Sequence, residues 1–120
     1  KLIAGEPTIN VEEMKQFAQY EGYDVSSPVI TWFWEVVSTF DQEMLSSLWF
    51  FVTGMSRVGP GGFKKLPLKI TNPGASDEDL PLSHTCFATI DLPEYSTKEI
   101  LLNKLVLAIS EGKEGFGMSQ

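Results

Sequence analysis

The chain has 120 residues, of which 42% are hydrophobic, and its formal net charge is -7 at neutral pH. This length suits a single domain with a real core, whereas the acidity argues against binding to nucleic acid or to an anionic membrane surface, both of which need basic patches. One cysteine cannot form an internal disulfide, and the sequence holds neither a signal peptide nor a long apolar run. We therefore expect an intracellular protein of the cytoplasm or nucleus that does not enter a membrane. Because the chain opens at Lys1 without a methionine, we interpret it as a fragment of a longer protein.

The first 21 residues predict one short helix. Asn10 is a suitable N-cap with Glu13 three residues later, which is the spacing of a capping box. The apolar face of this helix is narrow, and we therefore interpret residues 1–21 as the end of a preceding domain. The polar stretch 22–27 contains a glycine and is typical of a flexible domain boundary and equally of an ordinary loop between helices.

Two helices are predicted next. Ser27 precedes Pro28, which suits the first helical position because its missing N–H costs nothing there. Apolar residues then lie on nearly all sides, as in a buried helix. A second helix is predicted from Asp41 to Gly54. The short link favours an antiparallel pair, and the aromatic residues of both helices favour a core position over a partner-binding surface.

The second half of the chain predicts a small sheet and one further helix. Residues 66–71 alternate in polarity, but Pro67 lacks the N–H for a sheet hydrogen bond, so we expect an edge strand or a strand that starts near the proline. Residues 88–92 alternate in the same way. A capping box at 96–99 opens the last helix, Gly112 is predicted to end it, and a short tail follows. Together these elements predict an α+β fold, with helices packed around a small sheet.

The only cysteine and the only histidine, Cys86 and His84, lie two residues apart just before the second of these strands. Cysteine is the strongest ordinary nucleophile because a usable fraction ionises near neutral pH. Two placements of the thiol are open. If the alternation extends backwards, Cys86 shares a face with Ala88 and Ile90 and is a buried core residue. If the strand begins after it, the thiol lies exposed in a loop.

Chemistry narrows the reactions that an exposed Cys86 would perform. Amide hydrolysis needs a histidine that protonates the leaving amine, and at strand spacing His84 would lie beside the thiol, about 6.6 Å away, with no third group to aim it. Thioester exchange does not need such a histidine, because its leaving group is itself a thiolate that requires little protonation. Backbone N–H groups of the loop could stabilise the oxyanion. The alternation puts Asp91 on the face opposite Cys86, so we do not expect its carboxylate to assist a reaction at the thiol. The acidic run 77–79 matches no metal-binding spacing and is expected to be a solvated turn.

Several motifs together resemble the C-terminal lobe of HECT-type ubiquitin ligases. The central one is residues 80–87, Leu-Pro-Leu-Ser-His-Thr-Cys-Phe, and the resemblance covers essentially the whole chain. The other matching segments are Trp32-Phe33-Trp34, Phe51-Val52-Thr53-Gly54, Ser56-Arg57, Gly62-Phe63, Leu92-Pro93-Glu94-Tyr95-Ser96, Lys104-Leu105 and Phe116.

This resemblance implies that Cys86 accepts ubiquitin from a ubiquitin-conjugating enzyme as a thioester and passes it to a lysine of a protein substrate, without a cofactor or a metal. His84 and Thr85 match positions that shape the loop of the catalytic cysteine, and Phe116 matches a near-terminal phenylalanine that helps to orient the lobes. The carboxylate that assists lysine transfer is expected to come from the missing lobe or the substrate. The competing hypothesis is a non-catalytic protein-interaction module with a buried Cys86.

The resemblance also implies a division of the chain. Residues 1–21 match the end of the preceding N-terminal lobe, residues 22–27 match the hinge between the lobes, and residues 28–120 match the C-terminal lobe with its catalytic cysteine. The conjugating enzyme docks on the N-terminal lobe in this family, so the chain alone is expected to lack complete ligase activity.

Overall fold

The computed structural model describes the backbone of residues 8–118 and the side chains of residues 8–112. It has five α-helices: α1 (Val11–Phe17), α2 (Pro28–Val37), α3 (Gln42–Thr53), α4 (Gly62–Lys65) and α5 (Lys98–Met118). Four short strands, β1 (Gln19–Glu21), β2 (Lys69–Thr71), β3 (Leu82–His84) and β4 (Thr89–Asp91), form one sheet. The predicted α+β fold, helices around a small sheet, is confirmed. Within the described part of the chain, no helix is long and apolar enough to span a membrane.

The sheet is mixed and has the strand order β1-β2-β4-β3. β1 and β4 both run parallel to β2, and β3 runs antiparallel to β4 at the edge. One row of the register aligns Tyr20, Ile70 and Ile90, of which the two isoleucines are fully buried. Side chains alternate along a strand, so this row faces the helices, and the rows on either side of it face outward.

The helix ends follow local signals. The Asp41 carboxylate accepts a hydrogen bond from the Met44 N–H at 2.8 Å and so caps α3. Gly54 ends that helix in the left-handed conformation, with φ of 80°, which a residue without a Cβ adopts at little cost. Pro28 is the first residue of α2. The two predicted helices are therefore confirmed, and they pack with α5 into the core.

Residues 9–20 contribute to the same core. Met14 is fully buried and Ile9 nearly so, and the Trp34 indole of α2 donates to the Tyr20 hydroxyl of β1 at 3.1 Å. The sequence predicted the helix here but not β1, because three residues are too few for a recognisable alternation. The division between residues 21 and 22 stays a prediction, and β1 lies before that point while pairing with a strand after it.

Residues 22–27 form a turn that is tied to the sheet. The Tyr23 hydroxyl donates to the Leu92 carbonyl at 2.6 Å, and burial, assisted by the nearby Glu94 carboxylate, raises the pKa of Tyr23. Asp24 accepts hydrogen bonds from the Ser26 hydroxyl and N–H, which hold the pKa of Asp24 below its usual value.

Two predictions about the second half of the chain are wrong in detail. The expected stop at Gly112 is wrong because α5 continues to Met118; a Cβ at residue 112 would come within 2.8 Å of the Phe51 ring, so the glycine permits close packing of α5 on α3. The expected capping box at 96–99 is wrong, since Thr97 and not Ser96 caps the helix, accepting from the Ile100 N–H at 3.1 Å. Ser96 instead bonds to Asp77.

Pro67 lies two residues before β2, which is an inner strand of the sheet. The first of the two expectations, an edge strand, is therefore wrong, and the second, a strand starting near the proline, is confirmed. The proline does not interrupt the ladder because β2 begins only at Lys69.

Candidate active site

Cys86 lies in the connection between β3 and β4, a single turn of 3-10 helix over Thr85–Phe87. The two strands pair antiparallel with His84 opposite Thr89, so the turn projects from the edge of the sheet, and α3 packs against it. Cys86 is a free, exposed thiol. The expectation that it is buried in the core is therefore wrong, and the exposed placement is confirmed.

Cys86 is exposed because of the backbone conformation of Ala88, the residue that follows the turn. Its φ of 51° and ψ of 49° place it in the left-handed region, and it is the one non-glycine residue with positive φ in the described part of the chain. This conformation interrupts the alternation of side chains along the strand, so Cys86 does not lie on the same buried face as Ile90. A left-handed alanine costs about 1 kcal/mol or more, and its main chain is held there by a hydrogen bond from the Lys69 N–H to the Ala88 carbonyl at 3.0 Å.

His84 is oriented by a carboxylate. Its Nε2 lies 2.7 Å from Asp91 Oδ2, and the Thr71 hydroxyl donates to the other oxygen of the same carboxylate. The Asp91 carboxylate, which we did not expect to take part in lysine transfer, thus contacts the histidine two residues before the thiol. The antiparallel register produces this contact, because it places Asp91 diagonally across from His84 on one face.

The outward face of the sheet is otherwise polar. Lys69 forms an ion pair with Glu21 at 2.7 Å, next to the side chains that surround Asp91. Two apolar residues nevertheless lie exposed: Leu82 at the start of β3, 61% accessible, and Phe87, next to Cys86 in the chain, 75% accessible. The exposed thiol of Cys86 is therefore followed in the turn by an exposed aromatic side chain.

The loop that leads into β3 is fixed by side chains from the loop after β4. The buried Tyr95 donates through its hydroxyl to the Asp79 carbonyl at 2.6 Å, and burial raises the pKa of Tyr95. The Ser96 hydroxyl and N–H donate to the Asp77 carboxylate, and these bonds, the side-chain bond first, lower the pKa of Asp77. Within the described residues, no group of three histidine, cysteine, aspartate or glutamate side chains could hold a metal ion.

The predicted site residues are only partly brought together. Thr85 is exposed in the same turn as Cys86, and His84 precedes it. Phe116 lies within α5, and the Phe116 side chain is outside the described residues. The expected short tail is therefore wrong over residues 115–118, which are helical. Sequence reasoning set Asp91 aside and missed Thr71. The short connection between β3 and β4 implies antiparallel pairing and could have placed Asp91 beside His84, whereas Thr71 reaches Asp91 through the parallel pairing of β2 with β4.

The chain matches a known protein family over nearly its full length. The family model described as HECT-domain (ubiquitin-transferase) matches residues 1–119. The chain belongs to the HECT family. The resemblance inferred from the motif around Cys86 is thereby confirmed.

Named relatives of this HECT chain are E3 ubiquitin-protein ligases. It is 46% identical to UPL2 of Arabidopsis thaliana, 45% identical to ptr1 of Schizosaccharomyces pombe and 41% identical to TOM1 of Saccharomyces cerevisiae. Each match covers 98% of this chain but only 3% of UPL2 and 4% of ptr1 and TOM1. The chain thus corresponds to a small part of each relative.

Proposed function

We propose that this chain is the part of a longer ubiquitin ligase that carries ubiquitin on Cys86 as a thioester and transfers it to a lysine of a protein substrate. The observation that carries the proposal is the exposed thiol of Cys86 in a turn at the sheet edge, in a chain of the HECT family. The proposed partners are ubiquitin, a ubiquitin-conjugating enzyme and protein substrates, in the cytoplasm or nucleus.

The two steps balance without a cofactor. In the first, the Cys86 sulfur attacks the thioester carbonyl of ubiquitin, and the electron pair of the broken C–S bond leaves on the cysteine of the conjugating enzyme. In the second, a neutral lysine amine attacks the new thioester, a C–N bond forms, the C–S electron pair leaves on Cys86, and the proton lost by the nitrogen ends on that thiolate or in water. His84 and Thr85 shape the turn that presents the sulfur to both partners.

A loading assay tests this proposal. The full-length protein containing this chain is incubated with activating enzyme, ATP, ubiquitin and a panel of conjugating enzymes, and separated without reductant. We expect a ubiquitin adduct that reductant removes. Cys86→Ala should abolish it, and Cys86→Ser should give either a reductant-resistant oxyester or no adduct.

A matched control is Glu21→Gln, an exposed substitution in the same sheet that leaves the thiol and its turn unchanged and should still load. An adduct of undiminished yield in Cys86→Ala contradicts the proposal. So does the lack of a wild-type adduct with every conjugating enzyme.

Phe116 is proposed to hold the loaded lobe against the N-terminal lobe during transfer. Phe116→Ala in the full-length protein should load normally but transfer to lysine at least about tenfold more slowly, which corresponds to about 1.4 kcal/mol of barrier. Single-turnover loading and discharge assays measure the two steps separately. Equal loss in both, with a lowered melting temperature, would mean that Phe116 is structural.

The hinge at residues 22–27 stays a prediction, and the sheet offers a direct test. A swing at this point would separate β1 from β2, which are joined by hydrogen bonds from the Gln19 N–H to the Leu68 carbonyl and from the Asn72 N–H to the Glu21 carbonyl, both 2.9 Å. Rapid hydrogen exchange at these two amides would support the hinge. Strong protection of both would contradict it and would place residues 9–21 permanently within the lobe.

A further inference from the structure

The contact between His84 and Asp91 links three strands on the outward face of the sheet. Asp91 belongs to β4, an inner strand, and only 19% of its side chain is accessible, whereas 51% of the His84 side chain is accessible. Thr71 on β2 holds one carboxylate oxygen and His84 on β3 contacts the other. The carboxylate is therefore fixed from both sides, and the imidazole extends from it towards solvent near the Cys86 turn.

This arrangement decides which ring nitrogen of His84 carries the hydrogen. An ionised carboxylate can only accept hydrogen bonds, so the 2.7 Å contact requires the hydrogen on Nε2. In a neutral imidazole the other nitrogen then holds a lone pair. Nδ1 is consequently the atom that can accept a proton from outside. The remaining charged groups on this face, Lys69 and Glu21, are paired with each other.

We propose that Asp91 is a positioning residue for lysine transfer, acting through His84, whose Nδ1 accepts the proton from the attacking amine. This inference rests on the proposed function. The neutral lysine amine attacks the Cys86 thioester, the C–N bond forms, and the C–S electron pair leaves on sulfur. The surplus proton of the nitrogen passes to Nδ1, giving a neutral isopeptide, and the imidazolium then returns the proton to the thiolate or to water.

The loading step has no such requirement. It exchanges one sulfur for another and creates no N–H that must lose a proton. An effect confined to lysine discharge therefore separates a proton-accepting role of His84 from a role in holding the turn, because a distorted turn would impair both steps.

The test uses Asp91→Asn in the full-length protein, with Glu21→Gln as the matched control on the same face. An asparagine amide can donate to Nε2 and so favours the wrong tautomer, with little change in volume. After single-turnover loading, ATP is removed and free lysine is added. We expect Asp91→Asn to load within about twofold of wild type and to discharge at least about tenfold more slowly, and Glu21→Gln to match wild type in both.

A double-mutant cycle tests whether Asp91 acts through His84. His84→Gln alone should slow discharge by at least as much as Asp91→Asn, and combining the two should add no further loss. The inference is overturned if the losses in discharge rate of the two single variants multiply in the double variant. It is also overturned if Asp91→Asn discharges at the wild-type rate. In both cases the wild type still loads and discharges, so the proposed function stays intact. A wild type that forms no adduct overturns both.

A spectroscopic measurement keeps the inference falsifiable even if a variant fails to fold. The nitrogen chemical shifts of wild-type His84 in the folded chain should report the Nε2–H tautomer when the ring is neutral, and the Nδ1–H tautomer would overturn the proposal.

Discussion

The two faces of the small sheet use the same strands for different purposes. On the inward face, Ile70 and Ile90 lie side by side and are fully buried against the helices. One residue further along each strand, Thr71 and Asp91 point outward and connect to His84. Residues that stabilise the core and residues proposed to take part in the chemistry are therefore adjacent along β2 and β4, so substitutions at neighbouring positions should have different effects.

The largest effect is expected on the inward face. Ile90→Ala removes a fully buried side chain and should lower the free energy of unfolding by about 2–5 kcal/mol, because apolar burial is lost and a cavity is left. Denaturant unfolding of the folded chain measures it. A loss below about 1 kcal/mol would mean that this face is not the centre of the core.

A smaller loss of stability is expected at Ala88, which lies between the Cys86 turn and β4. A β-branched residue is poorly tolerated at positive φ, and Ala88 is buried, so Ala88→Val should destabilise by about 1–3 kcal/mol. The same substitution should loosen the Cys86 turn. Thermal unfolding, together with the rate of thiol alkylation, checks both consequences, and a variant as stable as wild type would count against the strained conformation.

Acid should weaken the loop that leads to the outward edge. The hydrogen bonds from Ser96 depress the pKa of Asp77 in the folded chain, so their contribution is present above the ordinary aspartate pKa and is lost as the pH falls through the depressed value. Asp77→Asn should therefore unfold with a weaker pH dependence in this acidic range. Urea titrations of both proteins at several pH values measure this, and identical slopes would exclude a role for Asp77.

The smallest effect is expected for an apolar residue on the outward face. Leu82 is opposite Asp91 in the register and 61% accessible, so Leu82→Ala should change stability by no more than about 0.5 kcal/mol. Leu82→Ala is the matched control for Ile90→Ala, because both variants truncate an aliphatic side chain, one on each face of the sheet. Comparable losses at the two positions would erase the distinction between the faces.

The features that the sequence predicted correctly depend on local signals. Asp41 and Gly54 mark the ends of α3 through capping and a left-handed stop, and both rules act within a few residues. The exposed thiol was one of two open placements, since the alternation after Cys86 also allowed a buried one. The left-handed turn at Ala88 decided between them, and alanine carries no sequence signal for that conformation.

What the sequence missed depends on contacts between distant segments. The Asp91 carboxylate meets Thr71 and His84 only because β2, β4 and β3 adopt one particular register. Gly112 has the local signature of a helix end, yet its absent side chain serves the contact with Phe51 across two helices. In both cases the relevant partner lies outside the window in which periodicity and capping rules apply.

Mapping the adduct shows whether ubiquitin is carried on Cys86. The loaded full-length protein is digested with pepsin under acidic conditions, which preserve the thioester, and the modified peptide is identified by mass spectrometry. We expect the C-terminal peptide of ubiquitin to be attached to the cysteine of the Ser83-His84-Thr85-Cys86-Phe87 segment. Attachment to a different cysteine of the full-length protein, with the Cys86 peptide unmodified, would contradict it.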